Sequence, residues 1–509
     1  MTDRKPAQTE GDAKPRRVTI APYVGSFLLG VFATGLIGFS DPDMVGYDGY
    51  YHMRYAEITR TQGIIKEFPW AQFSLFKDQF SDKEFLFHLL LIPFSFGDLI
   101  LGSKLASCLM GGGVFALFYA LLRALETRWP FSWTALLLCA GPYFIFRLSM
   151  TRPHVFSLIF LLILARLLHR RSYRWLGVMG VVYALGYSAP QLILIQVVCF
   201  NIGLVIAGEK WDWRALLFPS AGLLAGFLIH PNCPNNFRLW FVQNFYAPFH
   251  AWGLKGVELS QGSELDSLTG TAFLFDLTLA STAVTFSFLG FLVRGRKPSA
   301  RTWSWLMFAG ALLGLTMLSQ RFVEYFIPFA LVFAATAFTD ILDGVDLEAW
   351  FFERRWARIA MPVAGIFYFS FLGANTFLKT QSSVMSHTNR SVGAAADWMS
   401  ENLSDEALVF HTFWSDFPEL FFRAPKLRYM VALDPVFMFE YDPRLWRLWD
   451  SIVDGKLGDP VPAICKEFGA HIVLIRRVNE ELDRQLRGDV RAERIFLNEG
   501  VSIYKLRCE

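Results

Sequence analysis

Through its first 378 residues the chain alternates long apolar runs with short basic segments. Ala21–Phe39, Leu105–Leu122, Thr302–Ser319 and Ile359–Leu378 carry no charged side chain over 18 to 20 residues. Crossing the hydrocarbon of a bilayer takes about 20 apolar residues, so these four runs predict membrane-spanning helices. Phe131–Phe146, Pro153–Ala165, Ala215–Ile229, Thr271–Val293 and Tyr325–Thr339 predict five more, some borrowing flanking residues. Trp175–Ala207 is uncharged over 33 residues, about 50 Å of helix and too long for one crossing. Ser188-Ala189-Pro190-Gln191 breaks it near the middle, because Pro disfavours helix in the residue before it. Two helices there bring the expected total to eleven. Phe85–Phe96 is apolar but too short to cross, and predicts a re-entrant or interfacial piece.

Basic residues then set the sidedness, since Lys and Arg mark the cytoplasmic loops. With eleven spans, the segments on the side of the N-terminus hold 20 Lys and Arg, and the short turns on the other side hold 3. Treating Trp175–Ala207 as one span would put two basic loops on opposite sides. The polar residues 1–20 form a cytoplasmic tail. No small-residue cleavage site follows the first apolar run, so a retained helix is expected rather than a removed signal peptide. A membrane domain over 21–378 carries outer loops at 40–99 and 230–270. An extracytoplasmic domain fills 379–509.

That tail changes character, mixing charged and apolar residues. Ser391–Asn402 has helical spacing, Ala407–Phe410, Arg428–Leu433 and His471–Ile475 read as short buried strands, and Pro462–Phe468 and Val478–Leu486 read as helices. Arg494–Leu497 and Val501–Leu506 suggest a final hairpin. Strands alternating with helices predict a small α/β domain. The expected fold class is thus a polytopic α-helical membrane protein with a C-terminal extracytoplasmic α/β domain, located in the cell membrane.

Composition agrees. Apolar residues make up 53% and charged residues 18%, with a mean hydropathy of +0.34; this excludes a disordered chain and most soluble enzymes. A net charge of +3 gives no argument for nucleic acid as a partner. Six cysteines (Cys108, Cys139, Cys199, Cys233, Cys465 and Cys508) lack paired spacing, so neither a zinc site nor a disulfide scaffold is indicated. Cys465 and Cys508 share one region and could pair in an oxidising compartment, but two free thiols are expected.

Candidate chemistry gathers on the outer side. Asp41, Asp43 and Asp48 crowd the start of the first outer loop, and Asp82 and Glu84 close it. Carboxylates there suit Mg²⁺ or Mn²⁺; the same residues also fit a solvated acidic loop. Arg147, Arg152 and Arg321 break the basic bias by lying on outer turns. A guanidinium suits bidentate phosphate binding, although snorkelling to lipid headgroups is the competing role.

Asp48-Gly49-Tyr50-Tyr51-His52-Met53-Arg54 resembles the first-loop motif of the oligosaccharyltransferase catalytic subunit, a GT-C membrane glycosyltransferase. Arg321 with Pro328 seven residues on resembles that family's late helix, whose Arg holds the phosphate of the lipid-linked donor. Ala395–Asn402 followed by Phe413-Trp414-Ser415-Asp416-Phe417 is similar to the helix and Trp-Trp-Asp-Tyr-Gly segment that open the family's outer domain. The chain departs from the pattern in Ser415 and Pro418, which puts recognition of an Asn-x-Ser/Thr peptide in doubt, and in the family's second acidic pair, where it reads Arg147-Leu-Ser-Met-Thr-Arg152-Pro-His154.

The resemblance implies a polyprenyl-linked sugar donor, membrane lipids as surroundings and an unidentified acceptor. Asp48 would be the catalytic base on an acceptor hydroxyl, or a metal ligand. Arg321, Arg152 and Arg147 would hold the donor phosphate. Tyr50, Tyr51, His52, Trp414 and Asp416 would contact acceptor or sugar. A Mg²⁺ or Mn²⁺ site would draw on Asp48 with Glu258 or His154, or with Glu264 or Asp266. Trp70, Trp252 and Trp414 could stack on sugars, though core or interface-belt roles suit each. Two other classes fit the pattern: a transporter or flippase of a lipid-linked or anionic solute, with the arginines as contacts, and a non-catalytic scaffold descended from such an enzyme. Against a transporter, almost no charge lies within the spans apart from Lys104 and Asp276, and no repeated halves are visible.

Overall fold

The computed structural model describes residues 19–251, 259, 262–345, 355–387 and 390–508. Each of the eleven apolar runs is helical. Ala21–Gly38, Leu99–Ala124 and the helix ending at Ile341 are long and apolar enough to cross a membrane, as is the segment from Arg358 to Asn402. Of the remaining runs, Pro153–His169, Tyr173–Gly186, Gln191–Ile206, Trp213–Ile229 and Thr278–Arg294 form shorter helices, and Ala300–Leu318 forms one of 19 residues. The expected break in Trp175–Ala207 falls where Tyr187 leaves the helix in an extended conformation.

Two glycines explain how the bundle closes. A Cβ on Gly30 would lie 2.3 Å from the carbonyl oxygen of Gly111, so the first two apolar helices touch backbone to backbone. Gly141 has φ of +108°, and a Cβ there would meet the Asp276 carbonyl at 2.5 Å. It stands at the 98° bend between Pro130–Cys139 and Pro142–Leu148. That bend aims the second segment, and with it Arg147, into the bundle.

The first outer loop is mostly ordered structure. Asp48–Gln62 is a helix, and Phe85–Leu91 with the turn Ile92–Phe94 forms the short apolar piece expected to stop before crossing. Gly46, at φ of +75°, turns the chain so that the helix opens on Asp48. A carboxylate in the first turn also complements the helix dipole.

The tail folds as expected in class. Its strands β1 (Leu408–His411), β2 (Arg428–Tyr429), β3 (Ile472–Arg476), β4 (Ala492–Leu497) and β5 (Val501–Leu506) form one sheet in the order β2-β1-β3-β5-β4. β1 runs parallel to β2 and β3, and β5 is antiparallel to both its neighbours. The expected strand Arg428–Leu433 shortens to two residues, because the backbone beyond pairs with the first outer loop instead. Tyr429 donates to the Trp70 carbonyl at 2.8 Å, and Gln72 and Phe73 donate to the carbonyls of Tyr429 and Met430 at 2.9 and 2.8 Å. Apolar residues from both segments then share one core, in which Tyr51, Tyr55 and Phe68 pack with Phe417, Phe421 and Tyr429. The last apolar helix also runs past the expected boundary at 378, to His387.

One expectation is corrected outright. Cys465 and Cys508 are not free thiols but a disulfide, with Cα atoms 5.6 Å apart. Cys465 precedes β3 and Cys508 follows β5, and the antiparallel pairing of those strands brings the two ends together.

Candidate functional site

Where the helical bundle meets the outer loops and the tail domain, a cavity of about 460 Å³ opens. Asp48, Tyr51 and His52 reach it from one helix, Arg147 and Arg152 from the segment after the bend and the turn that follows, His154 from the start of the next helix, Glu264 from the second outer loop, and Arg321 from the turn before the late helix. Trp414 and Ser415 close it from the tail. Residues far apart in sequence, from the loops, the turns and the tail domain all expected on one side, thus surround one space.

Charge is tightly arranged on one wall. Arg152 bridges Asp48, at 2.5 Å, and Glu264, at 2.9 Å. Arg147 bridges Glu264 and Glu324, its Nε donating to Glu324 at 2.5 Å. Arg147 and Glu324 are fully buried, and buried charges of this kind persist only when paired and hydrogen-bonded. Burial would push the Glu264 carboxyl up, but Arg152, Arg147 and Arg321 outweigh it and hold the group well below its usual range. Arg321 differs from the other two guanidiniums: among the described residues it forms no ion pair or hydrogen bond.

One turn along the helix from Asp48, the lining is imidazole. His52 Nδ1 lies 2.8 Å from His88 Nε2, and His88 Nδ1 lies 2.8 Å from Asp82 Oδ1. All three side chains are buried. Burial, then His88, Arg152, Lys83 and His154, push the His52 imidazole well below its ordinary value. Glu84 beside them is pushed up by its own burial, against the pull of Lys83 and His88.

Among the described residues the donor set does not fit a divalent metal. Between Asp48 and Glu264, where a cation would bridge carboxylates, sits the Arg152 guanidinium. His154 Nε2 lies 2.8 Å from the Arg147 carbonyl. Among the described residues no group of three or more His, Cys, Asp or Glu is placed to hold a metal ion. Glu258 lies outside the described residues, as does Trp252.

Other sequence candidates sit behind the walls. Tyr50 packs its ring against Phe422 at 5.1 Å and its hydroxyl near the Met44 backbone. Asp416, buried, accepts from Arg476 Nε at 3.0 Å, so the carboxylate of the Trp-Ser-Asp segment is already engaged. Trp70 is a core residue, its indole donating to the Pro425 carbonyl at 2.6 Å. Sequence reasoning overlooked Glu324, which directly precedes the apolar run Tyr325–Thr339, and His88, enclosed in Phe-Leu-Phe-His-Leu-Leu-Leu. Their one signal was an ionisable residue at the edge of an apolar stretch, for Glu324, or inside one, for His88.

No family model and no curated protein sequence matches the chain. Solved structures do. An archaeal oligosaccharyltransferase, AglB from Archaeoglobus fulgidus, in complex with an inhibitory peptide and a dolichol-phosphate, aligns with a TM-score of 0.65 at 12% identity over 90% of this chain and 70% of its own. ArnT from Cupriavidus metallidurans bound to undecaprenyl phosphate aligns at 0.57 and 12% identity, over 96% and 98% of the two chains. The mycobacterial arabinofuranosyltransferase AftD aligns at 0.51 and 14% identity, over 97% of this chain and 40% of its own. The chain has the GT-C fold and resembles the oligosaccharyltransferase in layout.

Proposed function

We propose that the protein is a multi-pass membrane glycosyltransferase that moves a sugar or glycan from a polyprenyl-phosphate-linked donor to an acceptor on the extracytoplasmic face. The observation that carries this reading is the meeting of Asp48, Arg321 and Trp414 round one cavity. Lipid phosphates of the donor's class occupy the AglB and ArnT structures, which supports the choice of donor. The N-terminus is cytoplasmic and the tail domain outside, as the basic bias of the loops argues.

In this reading the donor phosphate binds Arg321, whose guanidinium has no carboxylate partner to give up. Arg147 and Arg152 add positive potential behind it. Charge grows on the phosphate as the glycosidic bond breaks, and fixed cations in a site shut off from water stabilise it. Asp48 is held by Arg152 through Oδ2 and faces the acceptor. Trp414 offers an aromatic face to a sugar ring. The Arg152 guanidinium supplies the positive charge between Asp48 and Glu264, so no step here passes through a metal ion.

The test uses the full chain in lipid nanodiscs with radiolabelled undecaprenyl-phosphate sugars, following released undecaprenyl phosphate and labelled product. Asp48→Ala is expected to lose at least about 100-fold in rate. Arg321→Ala is expected to lose about 10²–10³-fold in kcat. Full activity in Asp48→Ala would remove that residue from the mechanism. Uptake of label into liposomes with no covalent product would replace the enzyme reading with a transporter.

A further inference from the structure

The Asp82–His88–His52 chain is a hydrogen-bonded line that begins in the core and ends at the cavity, and none of the steps above uses it. Asp82 Oδ1 also accepts the Glu84 backbone N–H at 3.2 Å, so this oxygen is an acceptor and His88 Nδ1 must donate to it. A neutral His88 then has only a lone pair left at Nε2, and His52 Nδ1 must donate there. The tautomer of one ring fixes the next. What remains is the lone pair of His52 Nε2, which has no hydrogen-bond partner among the described residues, on a ring that lines the cavity.

Packing leaves these rings little freedom. Tyr55 lies 4.5 Å and Tyr51 5.8 Å from the His88 ring, and Phe87 meets His52 edge-on at 5.3 Å. Asp48 and His52 are four residues apart on one helix, hence one turn apart on the same face. The catalytic carboxylate and the unpartnered imidazole nitrogen therefore address the same acceptor.

We propose that His52 Nε2 is the proton acceptor of the transfer reaction, oriented by His88 and Asp82, and that the acceptor group is a hydroxyl. This deepens the glycosyltransferase reading and rests on it. The acceptor oxygen forms a bond to the anomeric carbon, and the bond from that carbon to the phosphate oxygen breaks. The electron pair leaves on the polyprenyl phosphate, and the hydroxyl proton goes to His52 Nε2, from which solvent removes it once the products have left. Asp48, engaged by Arg152, orients the hydroxyl. His88 and Asp82 are positioning residues: they hold the lone pair outward, as a carboxylate–imidazole pair does in other nucleophile-activating sites.

The groups facing His52 support a neutral ring. Lys83 and His88 from the first outer loop, Arg152 from the turn after the bend, and His154 from the following helix all oppose a proton on it, and Asp48 and Glu84 are the nearby acids. Rate is therefore expected to fall as pH drops through a midpoint below the 6.5 of an ordinary imidazole.

Two measurements test this. The first needs no substrate: ¹⁵N imidazole spectra of the full chain in nanodiscs, with the His52 and His88 signals assigned through His52→Gln and His88→Gln. Expected at pH 7 is His52 protonated at Nδ1 and bare at Nε2, and a change of tautomer at both rings in Asp82→Asn. A proton on His52 Nε2, with a charged His88, would overturn the proposal. The second is transfer from a labelled undecaprenyl-phosphate sugar. His52→Gln is expected to lose about 10²–10⁴-fold in kcat with an unchanged KM for the donor, and to lose the acid limb of the pH profile. Asp82→Asn should lower kcat while keeping that KM. An inactive Asp48→Ala beside a fully active His52→Gln would sink the histidine proposal and leave the glycosyltransferase reading standing. Should no undecaprenyl-phosphate sugar react even with the unaltered chain, the tautomer still decides.

Discussion

The two walls of the cavity solve the same problem, placing polar groups in a buried site, in opposite ways. On one, Arg147 and Arg152 are locked to Glu264, Glu324 and Asp48, so every charge but that of Arg321 is spent on a neighbour. On the other, His52 and His88 carry a single hydrogen-bonded line to Asp82. A locked ion network holds potential steady while charge develops on a ligand. A line of neutral imidazoles fixes the tautomer of its last ring and keeps one lone pair free to take a proton. The contrast teaches that the fixed arginines suit the phosphate end of a donor, and that His52, with Asp48 one turn away on the same helix, suits the acceptor end.

The sharpest way to break the charged wall is Arg147→Met. It removes the guanidinium from buried Glu324, which keeps only His154 Nε2 at 3.6 Å, and from Glu264, which keeps Arg152; stripping a buried carboxylate of its cation costs about 3–5 kcal/mol. A large drop in apparent Tm in nanodiscs is expected, partly restored in the double variant Arg147→Met/Glu324→Leu. An unchanged Tm in the single variant would show that the network carries no stability. Arg152→Met should act on rate more than on fold: Asp48 loses its anchor, and transfer falls by about 100-fold with apparent Tm lowered less than in Arg147→Met. Because a guanidinium supplies the cation here, excess EDTA is expected to leave transfer by the unaltered chain within twofold; abolition by EDTA and recovery with Mn²⁺ would put a metal where Arg152 stands.

A smaller effect lies outside both walls and serves as their control. Burial pushes Glu419, at the seam between the first outer loop and the tail, up to about 7, although Arg423 pulls it down. An acid with a folded value above its unfolded one of about 4.5 stabilises the fold fully below that value, and loses this contribution as pH rises through about 7. Glu419→Gln should flatten the fall of apparent Tm between pH 5 and 8 and leave the acid limb of activity in place. A pH dependence of Tm unchanged by this variant would assign it to another group.

Much of this architecture was legible from the chain. The apolar runs and the break at Pro190 follow from length and from what Pro does to its neighbour, and both are local properties. Arg147, Arg152 and Arg321 stood out because they were basic on the side where basic residues are scarce, and Asp48 because it opened a recognisable motif. The rest depended on contacts between distant segments. Cys465 and Cys508 meet only through the β3–β5 pairing. The first outer loop and the tail share one core through Trp70–Phe73 and Tyr429, which no boundary drawn on composition anticipates. Tyr50 and Asp416 belong to the motifs but turn away from the cavity, since motif spacing fixes neighbours in sequence and not the direction of a side chain. His88 sat in an apolar stretch, and only the fold sets it 2.8 Å from His52.

The proposed function requires that a lipid-linked phosphate and an acceptor meet in this one cavity. A cryo-EM map of the chain in nanodiscs with undecaprenyl phosphate tests it most directly. The account predicts phosphate density within hydrogen-bond reach of Arg321, with the polyprenyl tail leaving between helices and Asp48 and His52 across the same space. Phosphate bound elsewhere, with Arg321 facing an empty cavity, would contradict it.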